Sequence, residues 1–143
     1  MSKNNLLSTS DNTIIKNINQ VIMIVDDDKS FLFLLKKYLT YWGYQRIYTA
    51  SSGNNAVKCF NNLECKPSII LTDYLMPDGD GLYLAREIKK ICQDVIIVMI
   101  TSDFKLTYTN IKKHGISFLI KKLEDNVFLK LKNILVSIKD FQE

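Results

Sequence analysis

Val21-Ile22-Met23-Ile24-Val25-Asp26-Asp27-Asp28 and Ser68-Ile69-Ile70-Leu71-Thr72-Asp73 are the two stretches that decide the fold. Each is an apolar run of about five residues that ends abruptly in acid. Such runs, bounded by polar residues, predict strands buried on both faces of a parallel sheet. Ligands of open α/β sheets gather at the carboxyl ends of the strands. Asp26, Asp27 and Asp73 then converge on one crevice, where like charges repel unless a hard divalent cation such as Mg²⁺ sits among them.

Between and after these strands the apolar spacing turns helical. Phe31, Leu34, Leu35, Tyr38, Leu39 and Trp42 repeat at i, i+3, i+4, i+7, i+8 and i+11. That is one helix face, with Asp28 or Ser30 available as its cap and Gly43 to end it. Residues 45–49 form a second strand, less apolar and nearer an edge. Ala56, Val57, Phe60 and Leu63 mark a second helix, and Pro67 breaks the chain before the strand 68–72. Met76-Pro77-Asp78-Gly79-Asp80-Gly81 is a turn by composition. A third helix carries Leu82, Ala85 and Ile88. Strand four is Val95–Ile100, a short polar helix covers about 105–114, and strand five is Ile116–Ile120. Val127, Leu131, Ile134, Leu135 and Ile138 stripe the last helix.

Strand and helix alternating five times predicts a doubly wound five-stranded parallel sheet with helices on both faces. The boundaries expected are an Asn- and Ser-rich flexible arm over 1–19 and one domain over 20–140.

Composition narrows the function. The 143 residues suffice for one core. Net charge is +4, and of the 19 basic residues only Arg46 and Arg86 are arginine. Arginine is the preferred reader of bases and phosphates, so direct nucleic-acid binding is not expected. Cys59, Cys65 and Cys92 are an odd set without Cys-x-x-Cys spacing, as in a reduced protein. With no signal peptide and no membrane-length apolar run, a cytoplasmic location is expected.

The remaining polar strand ends are Thr101-Ser102 and Lys121. Acids for a metal, a nucleophilic carboxylate, a hydroxyl and an ammonium on one edge suit transfer of a phosphoryl group to a carboxylate.

Val25-Asp26-Asp27-Asp28, Leu71-Thr72-Asp73-Tyr74-Leu75-Met76-Pro77-Asp78-Gly79-Asp80-Gly81, Ile100-Thr101-Ser102 and Ile120-Lys121 together resemble the receiver domain of two-component response regulators. The resemblance runs over about 20–140 and implies the flavodoxin-like receiver fold. It implies Asp73 as phosphoacceptor. Mg²⁺, with Mn²⁺ as a substitute, would be held by Asp26, Asp27, Asp73 and the backbone carbonyl of Leu75. It further implies Thr101 as switch hydroxyl, Lys121 as the lysine that pairs with the acceptor, Phe118 as aromatic switch, and Pro77 and Gly81 as loop-shaping residues, Gly81 permitting the turn into the third helix. The partners implied are a histidine kinase or histidine phosphotransfer protein, and a downstream protein on the face of the fourth helix, fifth strand and fifth helix. With no effector domain after residue 143, a stand-alone response regulator is expected, and no enzyme beyond self-phosphorylation and self-dephosphorylation.

Two departures stand out. The family places proline after its lysine, in a cis bond; here Lys122 follows, and a cis bond without proline costs about 2.5–4 kcal/mol. Phe118 stands where many relatives carry tyrosine. A phosphohydrolase of the haloacid-dehalogenase type would want a second acid two residues after Asp73, where Leu75 stands. A receiver fold that binds partners without phosphorylation is the alternative reading.

Overall fold

The computed structural model describes residues 18–142. Most of the 1–19 arm lies outside the described residues. Its last two residues instead open the first strand, β1, which spans Ile18–Val25.

The order is β1, α1 (Lys29–Tyr41), β2 (Tyr44–Ala50), α2 (Gly53–Asn62), β3 (Ile69–Thr72), α3 (Gly81–Ile91), β4 (Ile96–Thr101), α4 (Tyr108–Lys112), β5 (Phe118–Lys121) and α5 (Val127–Gln142). All five strands are parallel, in the order β2-β1-β3-β4-β5. This is the doubly wound, flavodoxin-like α/β fold expected from the alternation.

Two apolar layers hold it together. Ile22 and Ile24 of β1 face Leu35 and Leu39 of α1 and Leu131, Leu135 and Ile138 of α5. Met23 and Val25 point the other way, toward Ala56 and Phe60 of α2, Leu84 and Ile88 of α3, and Ile111 of α4. Alternate residues of a strand face opposite sides, which is why an unbroken apolar run is needed in the middle of the sheet. Burying each such side chain contributes roughly 1.5–3 kcal/mol. Phe128 of α5 stacks on Tyr38 of α1 with ring centroids 4.0 Å apart and on Phe31 at 6.2 Å, which pins α5 to α1 beside the acidic crevice.

The last two strands and α4 are shorter than the apolar pattern suggests. Val95 and Ile116 are buried but lie just before β4 and β5. Helix α4 has only five residues, started by a reciprocal cap between Thr107 and Asn110.

Chain reversal occurs where β1 and β3 lie side by side. Helices leave those two strands toward opposite faces, α1 on one and α3 on the other, and a crevice opens at their carboxyl ends. The loops after β4 and β5 border the same edge.

Candidate functional site

Asp26, Asp27 and Asp73 meet in that crevice. Each offers one carboxylate oxygen, and the three atoms all lie within 4.8 Å of one another. Parallel registry accounts for the meeting, because Val25 pairs with Thr72 and the next residue of each strand is an acid. The Asp73 N–H continues the ladder by donating to the Val25 carbonyl at 2.9 Å.

The three acids differ in setting. Asp26 is 2% exposed and Asp73 9%, whereas Asp27 stands in the open. The Asp28 N–H donates to Asp26 Oδ1 at 2.9 Å, and the Tyr74 N–H to Asp73 Oδ1 at 2.7 Å. Each buried acid thus keeps its Oδ2 for the crevice. Asp28 does not join them. Its Oδ1 accepts from the N–H groups of Ser30 and Phe31, so it caps α1.

The cation on the acids is Lys122. Its ammonium donates to Asp26 Oδ2 at 2.7 Å and to Asp73 Oδ2 at 3.2 Å, and lies 4.4 Å from the centre of the Phe31 ring. Burial alone would lower the Lys122 pKa, but the hydrogen bond to Asp26 and the charges of Asp26 and Asp73 hold it above the ordinary lysine value. For Asp26 the balance tips the other way. Burial raises its pKa above the usual carboxylate range despite the ammonium beside it.

Lys121, expected on the acids, is directed elsewhere. Its ammonium donates to the carbonyl of Asp103 at 2.7 Å and to that of Leu106, both in the loop between β4 and α4. The reason is the backbone. All described peptide bonds are trans, and the Lys122 N–H donates to the Thr101 carbonyl at 2.8 Å. The ladder therefore runs one residue past the Thr101–Lys121 pair, and side-chain alternation hands the acid-facing position to Lys122. Proline at 122 could not make that bond. Its absence was the visible signal that residue 122 joins the strand.

Thr101 is buried at the end of β4, and its Oγ1 accepts from the Asp103 N–H at 3.1 Å. Phe118 is half-buried and packs against the cluster between the sheet and the α1–α5 layer. Leu75 is 59% exposed beside the crevice, and Pro77 is exposed. Gly81 does its work by close approach. Its N–H donates to the Tyr74 carbonyl at 2.8 Å, and a Cβ there would run into the Asp73 carbonyl oxygen and lie 2.7 Å from Met99 Cε. Positive φ belongs to other residues of that loop, Asp78 at 59° and Gly79 at 99°.

This loop is braced against α2. Gly53 N–H donates to the Gly79 carbonyl at 2.8 Å, and Asn54 Nδ2 to Asp78 Oδ1 at 2.7 Å. Oxygen donors of this hardness and number suit a small divalent cation, and a carboxylate between an ammonium and such a cation is placed to act as a nucleophile.

The profile of the response regulator receiver domain matches residues 22–132. The probable transcriptional regulator ycf27 of Pyropia yezoensis is 36% identical over 87 residues, 61% of this chain and 34% of that protein. Its counterpart in Porphyra purpurea gives the same values, so the match spans about a third of each relative's length. Among solved structures, one similar chain comes from the CheX-CheY-BeF3-Mg complex of Borrelia burgdorferi. It is 25% identical with a TM-score of 0.72, covering 87% of this chain and 90% of that one. The response regulator TrrA of Thermotoga maritima, solved with Mg²⁺-BeF, is 28% identical with a TM-score of 0.69, covering 82% and 98%. A CheY-like receiver domain protein of Methanospirillum hungatei, 21% identical with a TM-score of 0.73, covers 88% of this chain and all of its own (100%), and shares the fold. The chain belongs to the response regulator receiver domain family of two-component signalling.

Proposed function

We propose that this domain accepts a phosphoryl group on Asp73 from a phosphohistidine of a histidine kinase or histidine phosphotransfer protein, in a Mg²⁺-dependent reaction. The observation that carries the reading is the position of Asp73. One of its oxygens is held by the Tyr74 N–H, while the other faces Asp26 and the Lys122 ammonium in an acid cluster of metal-binding dimensions.

Asp26, Asp27 and Asp73 would hold the ion, with the Leu75 carbonyl as the further ligand that family membership implies. The solved relatives that carry Mg²⁺ favour that ion over others. When bound, it neutralises charge on the phosphoryl oxygens and offsets the repulsion among the acids. Asp73 Oδ2 attacks phosphorus, the P–N bond to the donor imidazole breaks, and the imidazole leaves with the bonding pair and takes a proton. Asp73 is left as an acyl phosphate. The buried Thr101 hydroxyl is the group we assign to donate to a phosphoryl oxygen, while its oxygen goes on accepting from the Asp103 N–H. Phe118 would then repack, changing the face of α4, β5 and α5, where Tyr108, Leu123 and Leu129 are exposed. A downstream protein binding that face is the output we propose. The domain is a phosphoacceptor, with no turnover of other substrates.

Incubating the full chain with Mg²⁺ and acetyl phosphate tests the proposal. One added phosphoryl group by mass, absent in Asp73→Asn, is expected. An unlabelled wild type would point instead to a partner-binding module that works without phosphorylation.

A further inference from the structure

We infer that the two adjacent lysines at the end of β5 act separately, Lys122 as the cation that binds the phosphoryl group and Lys121 as a positioning residue that ties down the loop after β4. The inference rests on Asp73 being the phosphoacceptor. Lys122 supplies an ammonium bonded to both Asp26 and Asp73.

Three observations carry it. The Lys122 ammonium lies against both buried acids, at 2.7 and 3.2 Å, with only 14% of its side chain exposed. It rests on the Phe31 ring, and that ring is fixed in turn by Phe128, so the cation is seated from below as well. The Lys121 ammonium is engaged by the carbonyls of Asp103 and Leu106. To reach Asp73 it would have to abandon two carbonyls of the loop that carries the Asp103 N–H onto Thr101. Strand alternation sends the two side chains to opposite faces, so both cannot serve the acids while the trans ladder bond from Lys122 to Thr101 stands.

As Asp73 attacks, charge on the incoming phosphoryl oxygens comes within reach of the ammonium that already touches the carboxylate. Before phosphorylation the same ammonium occupies the Oδ2 atoms of Asp26 and Asp73, two of the acids in the proposed metal cluster. Lys122 therefore competes with the divalent cation in the resting protein and cooperates with it once phosphate arrives.

Lys122→Met and Lys121→Met in the full chain separate the alternatives, read by calorimetric Mg²⁺ titration and by phosphoryl incorporation from acetyl phosphate. Lys122→Met is expected to bind Mg²⁺ more tightly than the wild type and to incorporate phosphoryl groups about ten- to a hundredfold more slowly, the range of one lost charged hydrogen bond. Lys122→Arg is expected to recover part of the rate. Lys121→Met is expected to keep Mg²⁺ affinity and retain the rate within a few-fold, while the Asp103 amide exchanges hydrogen faster. Loss of incorporation in Lys121→Met with a normal rate in Lys122→Met would overturn the assignment. A wild type that binds Mg²⁺ yet takes no phosphoryl group would overturn the phosphoacceptor reading itself, and the altered Mg²⁺ affinity of Lys122→Met would still report where that ammonium sits.

Discussion

Gly81 packs directly against the backbone carbonyl of Asp73, eight residues earlier, so the first residue of α3 is built around the central acid of the crevice. A methyl group there meets backbone, which cannot swing aside as a flexible side chain could. Gly81→Ala is expected to cost about 1–3 kcal/mol or more, the range for overpacking a close-packed site, and to displace Asp73. Urea unfolding gives the first number. Mg²⁺ affinity, expected to fall along with stability, reports the second.

Asp28 belongs to the run of three acids but serves the helix instead of the crevice. Its carboxylate caps α1 through Ser30 and Phe31. Asp28→Ala should lower stability by about 1 kcal/mol, as expected for a lost helix cap. It should leave Mg²⁺ binding nearly unchanged, because the Asp28 backbone N–H that supports Asp26 remains. Asp27→Asn should do the reverse, with little loss of stability and a large loss of Mg²⁺ affinity.

The sheet was legible because its three central strands are buried on both faces and demand apolar runs. Residues 21–25, Ile69-Ile70-Leu71 and residues 96–100 supply them, while the edge strand β2 is less apolar. The meeting of Asp26, Asp27 and Asp73 followed from the same logic, since parallel strands deliver their last residues to one edge. The role of Lys122 was legible only as a missing proline. Two adjacent lysines are chemically identical in a sequence, and only the trans backbone and its ladder bond to Thr101 decide which one faces the acids. The work of Gly81 was equally hidden. A glycine needed for closeness reads the same as one needed for a turn.

Leu75 stands beside the acceptor and is 59% exposed. If Asp73 forms an acyl phosphate, an apolar side chain there hinders the approach of water, whereas an amide can hold a water molecule in line. Leu75→Asn should shorten the half-life of the phosphorylated protein. Equal decay of the two isolated phosphoproteins would remove this role for Leu75.

Filling the acid cluster should stabilise the fold. At free Mg²⁺ of about one hundred times Kd, mass action adds roughly 2.7 kcal/mol, reversed by a chelator. Metal ligands must be ionised, and burial holds the Asp26 pKa above the usual carboxylate range. Protons should therefore compete with Mg²⁺ at a higher pH than ordinary carboxylates would allow. Calorimetric titrations from pH 7 downward should show affinity declining through that window, and a flat profile to the ordinary carboxylate range would exclude Asp26 as a ligand.

In alkali the metal-free protein should respond through Lys122. The two acids hold its pKa above 10.5, which favours the charged form in the folded state more than in the unfolded chain. The stability it contributes is then fully present below that ordinary value and is lost as pH rises through the higher folded value. Tyr44 adds a second alkaline dependence, because burial pushes its phenol from 10.0 to about 12. Its contribution is likewise present below the ordinary phenol value and lost toward the folded one. The difference between wild type and Lys122→Met isolates the lysine, since Tyr44 is common to both. That difference, from urea unfolding without Mg²⁺, should be constant from pH 8 to about 10 and shrink above it.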